Sequence, residues 1–248
     1  MVRVGSSGPK RLYVARVLEV SIVNYRLKLF AFVLCGFALL ALFNVSYLAV
    51  NTLSRLNMVE ADRDLWQRPS DVLQALDMKP GDTIVDLGCG SGYFALKLSS
   101  QVGNSGDVIA EDIRRLSLAF LWVRTILQKK HNITVIHGQS ADPHLPVNKV
   151  NALLISNTYH ELADPQAILR HVSRALVSRG RLVVVDREPN PANVRSTENG
   201  EHEIPAERVE MDLRQAGFDI VSRQSHFIER DPDNETWWLI VALKPTRR

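Results

Sequence analysis

Cysteine is scarce in this sequence, with Cys35 and Cys89 as the two examples among 248 residues. One lies in an apolar run and the other in a glycine-rich loop, so a disulfide scaffold is excluded and a reducing compartment fits. Acidic residues are scarce near the N-terminus, where the first 56 residues hold one of the 27 acids and seven of the 30 basic residues. The remainder therefore carries a net charge of −3, although the whole chain carries +3. Because residues 57–248 carry a net negative charge, no nucleic-acid partner is expected for this part of the chain.

Charge is absent from residues 29–50, which read LFAFVLCGFALLALFNVSYLAV. As a helix, this run spans roughly 33 Å, the thickness of one hydrocarbon core. A buried core helix, a cleaved signal peptide and a mitochondrial presequence are alternatives, but a long basic segment precedes the run and a small-residue cleavage site is not evident. We predict a basic tail at 1–28, a transmembrane anchor at 29–50 and a folded body at 57–248.

The body alternates short β-branched runs with amphipathic stretches of helical length, which is typical of a parallel, doubly wound sheet. Five strands are predicted at Thr83–Leu87, Val108–Asp112, Thr134–His137, Ala152–Ser156 and Leu182–Asp186. Helices are predicted near 92–101, 115–130, 165–178 and 207–216. Two final strands, at 218–225 and 236–243, are separated by a turn-rich segment at 230–234. The predicted fold is α/β and Rossmann-like, with a doubly wound seven-stranded mixed sheet preceded by one N-terminal transmembrane helix.

A glycine-rich loop follows the first predicted strand, in the segment IVDLGCGSGYF at 84–94. Glycine lets the backbone turn sharply and approach a ligand where a Cβ would clash, and the N-terminus of the following helix favours a negative group. A dinucleotide fingerprint requires G-x-G-x-x-G, whereas the third glycine here comes one residue early. A Walker loop is excluded because no Lys-Ser/Thr follows.

The pattern Asp-x-Gly-x-Gly-x-Gly in this loop resembles motif I of the class I S-adenosylmethionine-dependent methyltransferases, and the resemblance extends over about residues 60–245. It implies S-adenosyl-L-methionine as the cofactor. The loop residues that it places at the cofactor are Asp86, Gly88, Cys89, Gly90 and Gly92. Asp112, which ends the second strand, matches the acid that binds the ribose, since a carboxylate accepts from two vicinal hydroxyls. Glu111 is expected to point to the other face of the sheet.

The segment GQSAD at 138–142 resembles the adenine-binding turn of the same family. Many relatives carry Gly-Asp at its start, whereas this chain carries Gly138-Gln139. That difference leaves Ser140 and Asp142 as the expected contacts to the cofactor. The alternative for Asp142, which precedes a proline, is that it simply starts a turn. The segment from Pro189 onward resembles the substrate-side insertion of the family.

The segment NTYHEL at 157–162 resembles the family motif that faces both cofactor and substrate. Asn157 is expected at the cofactor, and Tyr159 and His160 are expected to be catalytic, with His160 as a general base or a substrate contact. The alternative for His160 is a structural cap on the loop. No metal is predicted, because His160, His171 and His202 lack the spacing of metal ligands.

The resemblance implies in-line attack of a substrate nucleophile on the sulfonium methyl, with the protein mainly positioning the two reactants. The Asn/Asp-Pro-Pro-Tyr motif of relatives that act on Asn or Gln is not found at 157–160. The anchor favours a small or lipid-soluble acceptor such as a quinone precursor. We predict a membrane-anchored S-adenosylmethionine-dependent methyltransferase; the alternative is a catalytically inactive, membrane-tethered scaffold that binds the cofactor. A nicotinamide dehydrogenase is disfavoured by the glycine spacing.

Two arguments disagree on the orientation of the anchor. Residues 9–28 carry five Lys/Arg and residues 51–70 carry three, so the positive-inside rule places the N-terminus in the cytosol. The bias is small, however, and a charged cofactor made in the cytosol does not cross bilayers freely. We therefore predict a single-pass membrane protein whose body faces the cytosol or an organelle interior supplied with the cofactor.

Overall fold

The computed structural model describes residues 8–190, 202–230 and 235–246, with side chains from residue 25 onward. The first seven residues of the basic tail, residues 191–201 of the predicted insertion and residues 231–234 of the predicted turn lie outside the described residues. Contacts divide the chain into two units, Met1–Met58 and Val59–Arg248.

The first helix, α1, runs from Gly8 to Trp66. It is uninterrupted because no proline falls between Pro9 and Pro69. Within the described residues it is the one helix long and apolar enough to cross a membrane, and its large apolar side chains between residues 25 and 50 are exposed. The helix ends where Arg68 adopts a left-handed conformation, with φ at 51°, and Pro69 begins the next helix.

The described strands of the body form one mixed sheet of seven strands in the order β3-β2-β1-β4-β5-β7-β6. The strands are β1 Thr83–Leu87, β2 Asp107–Asp112, β3 Ile133–His137, β4 Val150–Ser156, β5 Leu176–Arg187, β6 Asp219–Arg230 and β7 Glu235–Leu243. The helices are α2 Pro69–Ala75, α3 Tyr93–Val102, α4 Arg115–Leu127, α5 Pro165–Ala175 and α6 Ala206–Gln215, with a 3-10 turn at Tyr159–Glu161. Neighbouring strands among β1–β5 run parallel, whereas β7 runs antiparallel to β5 and β6.

An apolar core lies on each face of the sheet, because the central strands are buried on both sides. Ile84 and Leu154 belong to a cluster with α2, α3 and α4. Their chain neighbours Val85 and Leu153 belong to a second cluster with α5 and α6. The fold predicted from the sequence, a doubly wound seven-stranded mixed sheet, is confirmed.

Several predicted boundaries differ from the observed ones by a few residues, and strand pairing explains two of these differences. The helix predicted at 165–178 ends at Ala175, because Leu176 pairs with Val150 and begins β5. The strand predicted at 218–225 continues to Arg230, which pairs with Glu235. In both places the hydrogen bonds of the sheet override the local periodicity of the sequence.

Candidate active site

A cavity of about 410 Å³ opens at the carboxyl ends of β1, β2 and β4. The strand order reverses between β1 and β4, and doubly wound sheets bind ligands at such a switch point. The described lining includes seven of the predicted site residues, namely Asp86, Gly88, Cys89, Gly90, Asp112, Ser140 and Asn157. The other four, which are Gly92, Asp142, Tyr159 and His160, do not belong to this described lining.

The three glycines of the loop after β1 differ in what surrounds them. All have positive φ angles, at 73° for Gly88, 55° for Gly90 and 95° for Gly92. A Cβ at Gly88 would lie 2.2 Å from Thr158 Cγ2, and a Cβ at Gly92 would lie 2.3 Å from Leu121 Cδ1. A Cβ at Gly90 would meet no described atom within 4 Å. A Cβ at Gly88 or Gly92 would thus displace a neighbouring protein side chain, whereas Gly90 leaves open space at the cavity.

The carboxylate of Asp112 joins the end of β2 to this loop. Its Oδ2 accepts a hydrogen bond of 2.8 Å from the backbone N–H of Gly90, and its Oδ1 accepts one of 2.7 Å from the backbone N–H of Arg114. Each carboxylate oxygen keeps a further lone pair. Asp112 is therefore fixed in orientation and is still able to accept hydrogen bonds from a ligand.

Asp86 is buried at the end of β1, and its Oδ2 has no hydrogen-bond partner among the described residues. Burial raises the pKa of this carboxyl to about 7, although the nearby guanidinium of Arg63 acts in the opposite direction. An unpaired buried carboxylate oxygen costs free energy unless a donor or a cation meets it. Asp86 is accordingly suited to receive a positively charged part of a ligand.

Arg63, in the last turns of α1, lines the same cavity. Its guanidinium carbon lies 3.9 Å from the centroid of the Tyr93 ring, and its Nε donates a 2.6 Å hydrogen bond to Gln67 Oε1. Arg63 is not among the predicted site residues, because no motif contains it. The available signal is the recurrence of polar residues, from Glu60 to Gln67, at helical spacing after the apolar run.

Two cofactor contacts are predicted in the turn after β3, Ser140 and Asp142, and one of them belongs to the described cavity wall. Ser140 lines the cavity together with Gln139. Asp142 instead accepts a 2.8 Å hydrogen bond from the backbone N–H of His144, and its Oδ1 lies 3.4 Å from His171 Nδ1. These contacts favour the structural alternative for Asp142, that of shaping the turn.

Glu111, the neighbour of Asp112 in β2, also lines the cavity. Glu111 Oε1 occupies the space beside Gly138, where a Cβ would come within 1.8 Å. Burial, with a smaller effect from the neighbouring Asp112, raises the pKa of Glu111 to about 8.

Tyr159 and His160 follow β4 and point into protein. The hydroxyl of Tyr159 donates a 3.2 Å hydrogen bond to Asp212 Oδ2, and the ring packs in the cluster beneath α5 and α6. His160 Nδ1 lies 2.8 Å from Asp186 Oδ1, and both side chains are buried, with exposures of 2% and 0%. The contacts of Tyr159 favour a structural role, while His160 is held by a buried carboxylate.

Cys89 is buried, and burial together with the nearby acidic groups raises the pKa of its thiol. The thiolate, which is the nucleophilic form, is therefore disfavoured. The position of Cys89 in the loop fits packing against the cavity wall.

Comparison with protein families gives a match to the methyltransferase domain over residues 78–239. Among individual sequences, this chain is 26% identical over 121 residues to the demethylmenaquinone methyltransferase of Shouchella clausii. That match covers 49% of this chain and 51% of the relative, so the chain spans about half the length of the relative.

Two solved structures illustrate the similarity of the fold. A SAM-dependent methyltransferase from Aquifex aeolicus has a TM-score of 0.65 and 22% identity, with 77% of this chain and 97% of that chain covered. The Haemonchus contortus phosphoethanolamine N-methyltransferase 2 in complex with S-adenosyl-L-methionine has a TM-score of 0.62 and 16% identity. The latter comparison covers 73% of this chain and 53% of that chain.

Proposed function

Because the chain belongs to the family of S-adenosylmethionine-dependent methyltransferase domains, we propose that it transfers a methyl group to a small or lipid-soluble acceptor while residues 29–50 hold it at a membrane. The proposal depends on one observation about the cavity. Its wall contains Gly90, beside which there is room for a ligand, together with the carboxylate of Asp112 and the unpaired oxygen of Asp86.

In this proposal, each polar part of the cofactor is assigned to a residue of the cavity. Asp112 retains lone pairs for the ribose hydroxyls, and Ser140 offers a hydroxyl in the turn proposed for adenine. Asp86 Oδ2 would receive the ammonium of the methionine part, and Arg63 would receive its carboxylate. Part of the cofactor would occupy the open space beside Gly90, which a Cβ at this position would otherwise fill. When bound, the cofactor supplies an electrophilic methyl group on its sulfonium.

The protein's contribution is mainly to position the reactants, which can lower a barrier by several kcal/mol. The thiol of Cys89 is buried and poorly ionised, so it offers no nucleophile for a covalent intermediate. The catalytic roles of Tyr159 and His160 remain predictions. For His160 the supporting feature is its contact with the buried Asp186, which fixes the imidazole tautomer.

Two observations support a lipid-soluble acceptor. Apolar side chains from the segment after β4 and from α5 line part of the cavity, including Leu162, Ala163 and Ile168. The similar proteins named demethylmenaquinone methyltransferase point to a lipid-soluble quinone precursor as the acceptor. A membrane anchor at 29–50 would keep the cavity near a bilayer that dissolves such a molecule.

The test is methyl transfer by the full chain purified in detergent. The enzyme is incubated with methyl-labelled S-adenosylmethionine and, separately, with a reduced demethylated naphthoquinone or a water-soluble metabolite extract. We expect label in the quinone and a large loss of transfer in Asp112→Ala, while the exposed matched variant Asp107→Ala keeps its rate. Cofactor binding without transfer to either pool would contradict the proposal and favour the inactive scaffold.

The proposed topology places the body in the compartment that supplies the cofactor, with residues 1–28 across the membrane. Its test has two steps, carbonate extraction of membranes and protease treatment of intact cells. We expect the full chain to stay in the membrane pellet and residues 57–248 to survive external protease. Release by carbonate would contradict the anchor, and digestion of the body would contradict its cytosolic orientation.

A further inference from the structure

We infer that His160, Glu161 and His202 form a binding site for a divalent transition-metal ion of the zinc class beside the cofactor cavity. One potential ligand atom from each of these three side chains lies within 4.8 Å of the other two. Spacing along the sequence gave no indication of this site, because His202 comes from the distant segment before α6. The fold alone brings the three residues together.

The hydrogen bond at Nδ1 of His160 leaves Nε2 available to bind a metal ion. Nδ1 contacts Asp186 Oδ1 at 2.8 Å, and Asp186 is fully buried. A carboxylate at Nδ1 accepts a hydrogen bond from the Nδ1–H of a neutral imidazole, and in that tautomer the lone pair of Nε2 is free. Carboxylate–histidine pairs of this kind orient imidazole ligands at metal centres. His160 Nε2 lies 3.9 Å from Glu161 Oε1, so the free lone pair is next to the second ligand.

The two carboxylate oxygens of Glu161 have different neighbours. Oε2 pairs with Arg114 at 2.7 Å, which leaves Oε1 on the side of His160. The Arg114 charge opposes a cation nearby, but the same contact holds the carboxylate in place. Glu161 also lines the cavity, so an ion bound here would lie at the cavity wall.

His202 is an exposed residue whose chain segment is nonetheless fixed. Two residues later, Ile204 donates its backbone N–H to Arg187 O at 2.9 Å and accepts a 2.9 Å hydrogen bond from Trp238 Nε1. The rings of His160 and His202 are 5.5 Å apart and nearly perpendicular. The backbone is therefore anchored at the site, while the exposed imidazole is able to rotate towards an ion.

The donor set selects the class of ion. Two neutral imidazoles and one carboxylate suit zinc and other first-row divalent ions, whereas magnesium prefers oxygen ligands. Zinc ligands at about 2.1 Å in tetrahedral geometry lie about 3.4 Å from each other, and the 3.9 Å between Nε2 and Oε1 requires only a small side-chain movement. Three protein ligands leave at least one position for water or a substrate oxygen.

The test is metal binding by the full chain in detergent after removal of metals by chelation. Zinc is titrated against a coloured competing chelator, and magnesium is titrated in parallel. We expect one tight zinc ion per chain, no comparable magnesium binding, and at least a tenfold weaker zinc affinity in His202→Ala. The matched control His226→Ala changes another exposed histidine, which is paired with Glu229, and should bind zinc as the wild type does.

Cobalt provides a second readout, since a nitrogen-containing tetrahedral site gives intense visible absorption that surface binding does not. Equal zinc affinity in the wild type and His202→Ala, or cobalt spectra without that absorption, would overturn the inference. Thermal unfolding of each variant establishes that it is folded. The measurements use neither cofactor nor acceptor, so the metal site and the proposed methyl transfer succeed or fail separately.

Discussion

Replacement of Gly90 by alanine separates the role of the glycine loop in ligand binding from its role in folding. The residue has a φ of 55°, and an added Cβ would meet no described protein atom within 4 Å. The methyl group of Gly90→Ala would therefore occupy the cavity rather than displace a side chain. Gly88→Ala, by contrast, would place its Cβ 2.2 Å from Thr158 Cγ2 and disturb the fold itself.

The expected magnitudes for Gly90→Ala follow from this geometry. Holding a non-glycine residue in the left-handed region costs roughly 1–2 kcal/mol. In a body of this size, each kcal/mol lowers the Tm by about 2–4 °C, so the fold should survive. A methyl group in the space proposed for the cofactor should raise the Kd for S-adenosylmethionine at least tenfold, which corresponds to about 1.4 kcal/mol.

The assay is calorimetric titration with the cofactor, combined with thermal unfolding of the same samples. The matched control is Gly217→Ala, since Gly217 has a φ of 86° and an equally open Cβ position at the end of α6. Gly217→Ala should show a similar loss of Tm and wild-type cofactor affinity. Wild-type affinity in Gly90→Ala, or an equal loss of affinity in both variants, would refute the assignment of Gly90 to the cofactor site.

Three further predictions concern carboxylates of the body. Asp112→Ala should cost about 2–3 kcal/mol of cofactor binding, or roughly a 30- to 150-fold rise in Kd, whereas Asp107→Ala should leave calorimetric titrations unchanged. Burial raises the pKa of Asp86 to about 7, so the ligand-free protein should lose stability as the pH rises from about 4 to 7; Asp86→Asn should make that fall in Tm smaller, while the share due to Glu111, whose pKa burial raises to about 8, remains. Cofactor affinity should rise over the same pH range, because the proposed contact between Asp86 and the ammonium of the cofactor needs the ionised carboxylate. Glu60→Ala leaves the buried guanidinium of Arg124 without its 2.6 Å partner and should cost about 3–5 kcal/mol in denaturant unfolding, with partial recovery in Glu60→Ala/Arg124→Met.

Most of the sheet could be predicted from the sequence because β1 to β4 are short runs rich in apolar residues, and helices follow β1, β2, β4 and β5. The loop after β1 contains an aspartate and three glycines at motif spacing within seven residues. The family that this motif indicated is confirmed. The boundary between α5 and β5 could not be predicted, because Leu176 fits an apolar helix face and a buried strand equally well. The pairing of Leu176 with Val150 decides between them.

The candidate site was harder to predict wherever it depends on contacts between distant segments. Arg63 reaches the cavity from α1, outside every motif. His202 lies beside His160 because the segment before α6 folds back onto β5 and β7. Tyr159 is adjacent to His160 in the sequence, yet the 3-10 turn directs its ring into the core. Local spacing carries no information about the positions of His202 and Tyr159, and for Arg63 it indicates only a polar face of α1.

The central claim is that the cavity binds S-adenosylmethionine, and an equilibrium titration of the full chain in detergent tests it most directly. S-adenosylmethionine and NAD are titrated separately and in competition. We predict saturable binding of one S-adenosylmethionine per chain, with no binding of NAD and no displacement by it. Failure to bind S-adenosylmethionine, or its displacement by NAD at similar concentration, would contradict the account.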